Sequence, residues 1–180
     1  MEWSKRIYQT HPQWTSDGKW IVFSSDRGGN SQAFAVNEAS GTIVQLTDDP
    51  DSTPSNLNLA RKKSLLYYFR GGRGKAAQLI QLDLDPVLRA GGPGALPVPS
   101  AYERVIMTLP ADLQMSGGFA LDADERHAYV GVSRDGQLEK GAIRSIDLAD
   151  GKLTTVLEAL FLMGHVQCNP WVPGEILYCH

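Results

Sequence analysis

No stretch of this 180-residue sequence approaches the roughly eighteen consecutive apolar residues that a membrane-crossing helix needs, so no span of that kind is expected. Cysteine is scarce. Cys168 and Cys179 are the only two, too few for a disulfide framework, and their spacing permits a bridge without requiring one. Charge of one sign is also lacking. Lys and Arg number 17 against 20 Asp and Glu, a net −3, so there is no electrostatic footprint for nucleic acid or an anionic lipid surface. The first residues, Met1-Glu2-Trp3-Ser4-Lys5-Arg6, lack the apolar run of a signal peptide, and the expected compartment stays open between cytoplasm and periplasm. Helical periodicity is all but missing. The nearest candidate, Val105 to Met115, is interrupted by Pro110. Nothing specifies a protein partner. What is present is an ordinary globular composition, 42% hydrophobic and 21% charged.

Short β-rich segments separated by turns fill most of the chain. His11-Pro12-Gln13-Trp14 reads as extended, and Thr15-Ser16-Asp17-Gly18-Lys19 as a tight turn, with Asp-Gly supplying the backbone it needs. Trp20 to Ser25 is β-branched and aromatic and reads as a strand. Gln32 to Asn37 and Thr42 to Thr47 follow, separated by polar turns. Four strands and three hairpins in so short a span make one blade of a β-propeller. The pattern recurs with variation. Approximate blades are 7–50, 51–86, 105–158 and a partial one at 163–180, with a Gly/Pro-rich loop at 87–104. The expected fold is therefore all-β, about three and a half four-stranded blades. Such a set cannot close a ring, so the residues are expected to belong to a longer chain.

Two resemblances follow from these residues. Pro12-Gln13-Trp14-Thr15-Ser16-Asp17-Gly18-Lys19-Trp20-Ile21-Val22-Phe23-Ser24-Ser25-Asp26-Arg27 resembles the repeat of TolB-type, WD40-like propellers, which specifies a fold and no activity. The segment Gly164-His165-Val166-Gln167-Cys168-Asn169-Pro170 through Tyr178-Cys179-His180 resembles the oligogalacturonate lyase family, seven-bladed propellers that cleave short pectin-derived galacturonides by β-elimination with a divalent metal, typically manganese. The strand–turn–strand Ile143 to Lys152 fits the same family in spacing. The resemblance implies an oligogalacturonide-type substrate, and metal ligands in blades beyond His180. It assigns none within this sequence, and this stretch alone is expected to be inactive. The alternative is a non-catalytic TolB-like binding propeller, or the propeller of a larger hydrolase.

Eliminating across the bond next to a uronate carboxylate needs a base titrating near working pH, and cations for the charge that develops. Histidine, with an ordinary pKa of about 6.5, suits the base. His165 matches the family's Gly-His position and is the candidate base, against the blander reading of a structural histidine at a strand start. Arg144 is the candidate partner for a uronate carboxylate, since guanidinium matches it in bidentate geometry; the bland reading is a solvated edge residue. Gln167 and His180 are further substrate-binding candidates. His11 and Gln13 either face a channel or simply begin a strand. His127 reads as partly buried structure, and Trp14, Trp20, Phe23, Tyr67 and Tyr68 as packing between blades. Arg61-Lys62-Lys63 reads as a solvated turn. Arg70-Gly71-Gly72-Arg73-Gly74-Lys75 lacks the glycine spacing and following helix of a phosphate loop.

Overall fold

The computed structural model describes residues 4–6, 11–72, 75–91, 99–137 and 139–179. It contains four antiparallel sheets, each built from strands in sequence order. The first has β1 (Ser4–Arg6), β2 (Trp20–Ser25), β3 (Gln32–Asn37) and β4 (Ile43–Gln45). The second has β5 (Ser55–Leu59), β6 (Leu65–Gly72), β7 (Lys75–Asp83) and β8 (Glu103–Thr108). The third has β9 (Leu113–Leu121), β10 (His127–Arg134), β11 (Gly141–Asp147) and β12 (Leu153–Ala159). β13 (Gly164–Cys168) and β14 (Ile176–Cys179) form a two-stranded sheet. Among the described residues, no helix is long and apolar enough to cross a membrane.

Two compact units divide the chain: Met1–Gly71 with Ile80–Val105, and Gly72–Leu79 with Ile106–His180. In the first, Val22, Ala33, Ala35, Val44, Leu46, Leu57, Leu59, Leu66, Tyr68, Ile80 and Leu82 form one buried apolar cluster. At about 25 cal/mol per Å² of apolar area removed from water, this burial is the main favourable contribution to folding. In the second, Ala120, Tyr129, Ile143, Met163 and Val166 form another, with Leu157, Ile176 and Tyr178 against it.

The repeat is visible in individual hydrogen bonds. The turn after the innermost strand closes from Thr15 N to Trp20 O at 2.9 Å, from Ala60 N to Leu65 O at 3.0 Å, and from Asp122 N to His127 O at 2.9 Å. One residue after the third strand, a backbone N–H reaches back to that same turn: Glu38 N to Lys19 O, Leu84 N to Ser64 O, and Leu148 N to Arg126 O, at 2.8–3.0 Å. The outer hairpin also recurs, Asn37 N to Thr42 O and Asp147 N to Lys152 O. Gly18 takes φ +70° in the first turn, the conformation expected of Asp-Gly, and its side-chain partner Asp17 accepts from the Thr15 hydroxyl at 2.6 Å.

Several sequence expectations need correction. Among the described residues, the second sheet shows no outer hairpin. In its place Asp83 caps a helix, α1 (Leu84–Ala90), its side chain accepting from Asp85 N; a short 3-10 turn at Pro99–Tyr102 then leads into β8. No helix was expected there. Helical periodicity fails to reveal so short an element, which buries only Leu84 and Val87. Glu103–Thr108 is thus the fourth strand of the second sheet, although the third unit was expected to open at 105. His11 to Trp14 is not a full strand. Trp14 makes a single bridge to Ile21 and stands 46% exposed, so it is not packed between sheets, whereas Tyr67 and Tyr68 are buried as expected. No disulfide joins the cysteines: Cys168 lies opposite Ile176 and Cys179 opposite Gly164, three positions or about 10 Å apart along the hairpin, beyond disulfide reach.

Candidate functional site

His165 lies near the start of β13, exposed, within an irregularity of register between Gly164 and Gln167. Its φ is +48°, a left-handed conformation uncommon for a residue with a Cβ. The backbone around it is held closely. A Cβ on Gly118 of β9, itself at φ +88°, would lie 2.4 Å from Val166 N and 3.0 Å from His165 N, so only glycine permits this approach. Ser116 donates to Met163 O at 2.8 Å just upstream.

The inner turns put His165 in context. Counting four residues back from Thr15, Ala60, Asp122 and Asn169 gives His11, Asn56, Gly118 and His165. Three of these, Asn56, Gly118 and His165, have positive φ, each at a register shift of its strand. The bulge is therefore a feature of the repeat. The first member, His11, is buried, and its Nδ1 donates to Leu57 O at 3.3 Å. Burial pushes the imidazole pKa down; the Leu57 bond opposes this, and the charge of Arg61 adds to it.

Gln167 is half-buried in β13 opposite Leu177. His180 lies outside the described residues. Arg144 is in β11, paired with Val130 and Thr155. It is not a solvated edge residue, because its side chain is only 11% exposed. Its Nη2 donates to Glu158 at 3.0 Å, and its Nε is buried with no hydrogen-bond partner among the described residues. Arg144 borders a cleft of about 260 Å³ with Leu113, Arg134, Lys140, Ala142 and Glu158. Neither His165 nor Gln167 lines that cleft, so His165 and Gln167 share a strand while Arg144 serves a separate hollow.

Sequence reading passed over one cluster. Asp122 and Asp124, in the turn between β9 and β10, and His127, which opens β10, bring donor atoms within 4.8 Å of one another. All three carry prior commitments. The Asp122 carboxylate accepts from Ala123 N and Gly174 N at 2.8–3.1 Å. Asp124 accepts from Arg126 N, His127 N and His127 Nδ1 at 2.8–3.2 Å. Burial works against the charge on Asp124, but these bonds hold its carboxyl below the usual range. Each group is thus already engaged in the turn, and a divalent ion there would compete with these hydrogen bonds.

No protein-family model matches the sequence, and no curated protein is significantly similar to it. Solved structures are. An oligogalacturonate lyase from Vibrio parahaemolyticus aligns over 98% of this chain and 46% of its own, with TM-score 0.77 and 17% identity. An oligogalacturonate lyase in complex with manganese aligns over 99% and 47%, with TM-score 0.79 and 18% identity. TolB from Acinetobacter baumannii aligns over 83% and 32%, with TM-score 0.58 and 17% identity. The chain thus spans just under half the length of the lyase structures it matches. With the repeated sheets, these likenesses establish that the chain has a β-propeller fold, present here as three four-stranded sheets and one two-stranded sheet.

Proposed function

We propose that this chain forms about half of a propeller lyase that cleaves short uronate oligosaccharides by β-elimination. What carries the reading is the alignment of nearly the whole chain on two oligogalacturonate lyase structures, together with the Gly164-His165 to Cys179-His180 segment. In the reaction a base takes the proton on the carbon next to the carboxylate. The electron pair forms a carbon–carbon double bond, and the glycosidic oxygen departs with a proton. His165 is the base in this reading, since its side chain is exposed and histidine is the commonest general base. Gln167 and His180 supply hydrogen bonds to the sugar, and Arg144, whose cleft His165 does not line, a cation for a carboxylate away from the reacting bond. A divalent cation such as manganese would supply positive charge against the developing carbanion, and its ligands are expected outside this chain.

One observation favours a second reading, a non-catalytic TolB-like propeller. His165 occupies the repeat position of His11, whose ring is buried and bonded to the backbone of the following inner strand. In that reading His165 is a structural link of the same kind.

Incubating the longest natural polypeptide that carries this sequence with digalacturonate and manganese separates the two. The lyase reading expects ultraviolet absorbance from the unsaturated product. A chelator abolishes it, and His165→Ala lowers the rate by about a hundredfold or more with the melting temperature unchanged. The second reading expects no product from any uronate and a lower melting temperature for His165→Ala.

A further inference from the structure

Arg144 breaks the repeat. It stands three residues before Asp147, where the outer hairpin begins. The same place before Asn37 is Phe34, and before Asp83 it is Ile80, buried to 3% and 0% exposure. A slot that two sheets fill with apolar side chains holds in the third a guanidinium whose side chain is only 11% exposed. Taking a cation out of water costs free energy unless its donors are matched. Here they are matched incompletely. Guanidinium offers five N–H donors. One reaches Glu158, and the Nε–H has no partner among the described residues.

The surroundings suit an anion of modest size. The cleft, about 260 Å³, falls just below the range typical of drug-sized ligand sites. Three cationic side chains border it, Arg134, Lys140 and Arg144, against two acidic ones, Glu139 and Glu158. Arg134 is already paired with Asp112 at 3.5 Å. The carboxylate on Arg144 is held at one end only, because Glu158 is 61% exposed while Arg144 is not. Glu158 can therefore swing into solvent at little cost, leaving a buried fork of donors at the wall of the cleft.

We propose that the Arg144 cleft is a binding site for a small carboxylate, which replaces Glu158 on the guanidinium, with Lys140 as a second cation at its rim. That the carboxylate belongs to a uronate sugar rests on the proposed function; the carboxylate site itself does not. Glu158 acts as an internal competitor, so binding discriminates against neutral sugars and against anions too weak to displace it.

The test follows arginine Nε–H resonances of the purified chain by NMR during titration with digalacturonate, neutral galactobiose and succinate. The Arg144 signal is assigned from its loss in Arg144→Lys, whose backbone amide spectrum must otherwise be retained. Digalacturonate and succinate are expected to move the Arg144 signal, and galactobiose to leave it in place. Arg144→Lys weakens binding by about tenfold or more, because a point charge loses the bidentate fork. Glu158→Gln, at an exposed position, tightens it by about two- to fivefold. A response to succinate alone upholds the carboxylate site and removes the uronate reading. Digalacturonate binding that moves other resonances but leaves Arg144 silent overturns the site and spares the uronate reading. An Arg144 signal unmoved by both carboxylates, or weaker binding to Glu158→Gln, overturns the proposal.

Discussion

At the scale of single residues, the histidines are the most informative, because equivalent positions find different surroundings. His11 is buried against a backbone carbonyl, and its pKa is pushed below the ordinary value by that burial. The unfolded chain, with an imidazole pKa of about 6.5, then binds more protons than the native state between the two values. The stabilisation is complete above about pH 6.5 and is lost as pH falls from there through the depressed native value. The carboxylates Asp17, Asp124 and Asp147 also sit below their ordinary value of 3.8, so their stabilisation is lost only in stronger acid. Thermal melts between about pH 7.5 and 5 should therefore show a falling melting temperature, and His11→Gln should flatten that slope. A slope unchanged by the substitution would assign it to another group. Sequence alone placed His11 beside a turn but not its depth, because burial depends on a partner strand 46 positions away.

Within elements, the inner-strand bulge is the main structural device. It recurs at Asn56, Gly118 and His165, three residue types that tolerate left-handed backbone unequally. Gly118 has no latitude, since a Cβ there would meet Val166 N at 2.4 Å. Gly118→Ala should destabilise the protein by about 1–3 kcal/mol, from strained φ and overpacking together, measured by urea denaturation. A loss under about 0.5 kcal/mol would mean that β9 and β13 are not held at this distance. The strands themselves were legible because β-branched residues and Asp-Gly turns act locally: Asp17-Gly18 predicts its hairpin, and Asp150-Gly151 the outer one. The bulges were not legible, because nothing in Gly164-His165-Val166 announces a positive φ. Nor was α1, whose signal is a single capping aspartate, Asp83, at the end of a strand. The candidate site was readable to the same extent. Residue chemistry singled out Arg144 and His165, but only three dimensions showed that Arg144 faces a cleft His165 does not line.

For the whole molecule, the propeller fold is common ground for binding modules, peptidase propellers and lyases, so fold alone does not choose a chemistry. The choice lies in what happens to a uronate bond. β-Elimination splits digalacturonate without consuming water: proton and leaving group come from the same substrate, and the product masses sum to its own. Hydrolysis adds the mass of one water, and a binding propeller leaves the disaccharide whole. Mass spectrometry of digalacturonate incubated with the protein and manganese makes that distinction. The account predicts an unsaturated uronate, lighter than galacturonate by one water, and a galacturonate, with masses that sum to that of the substrate. Two saturated galacturonates whose masses sum to that of the substrate plus one water, or intact digalacturonate alone, would contradict it.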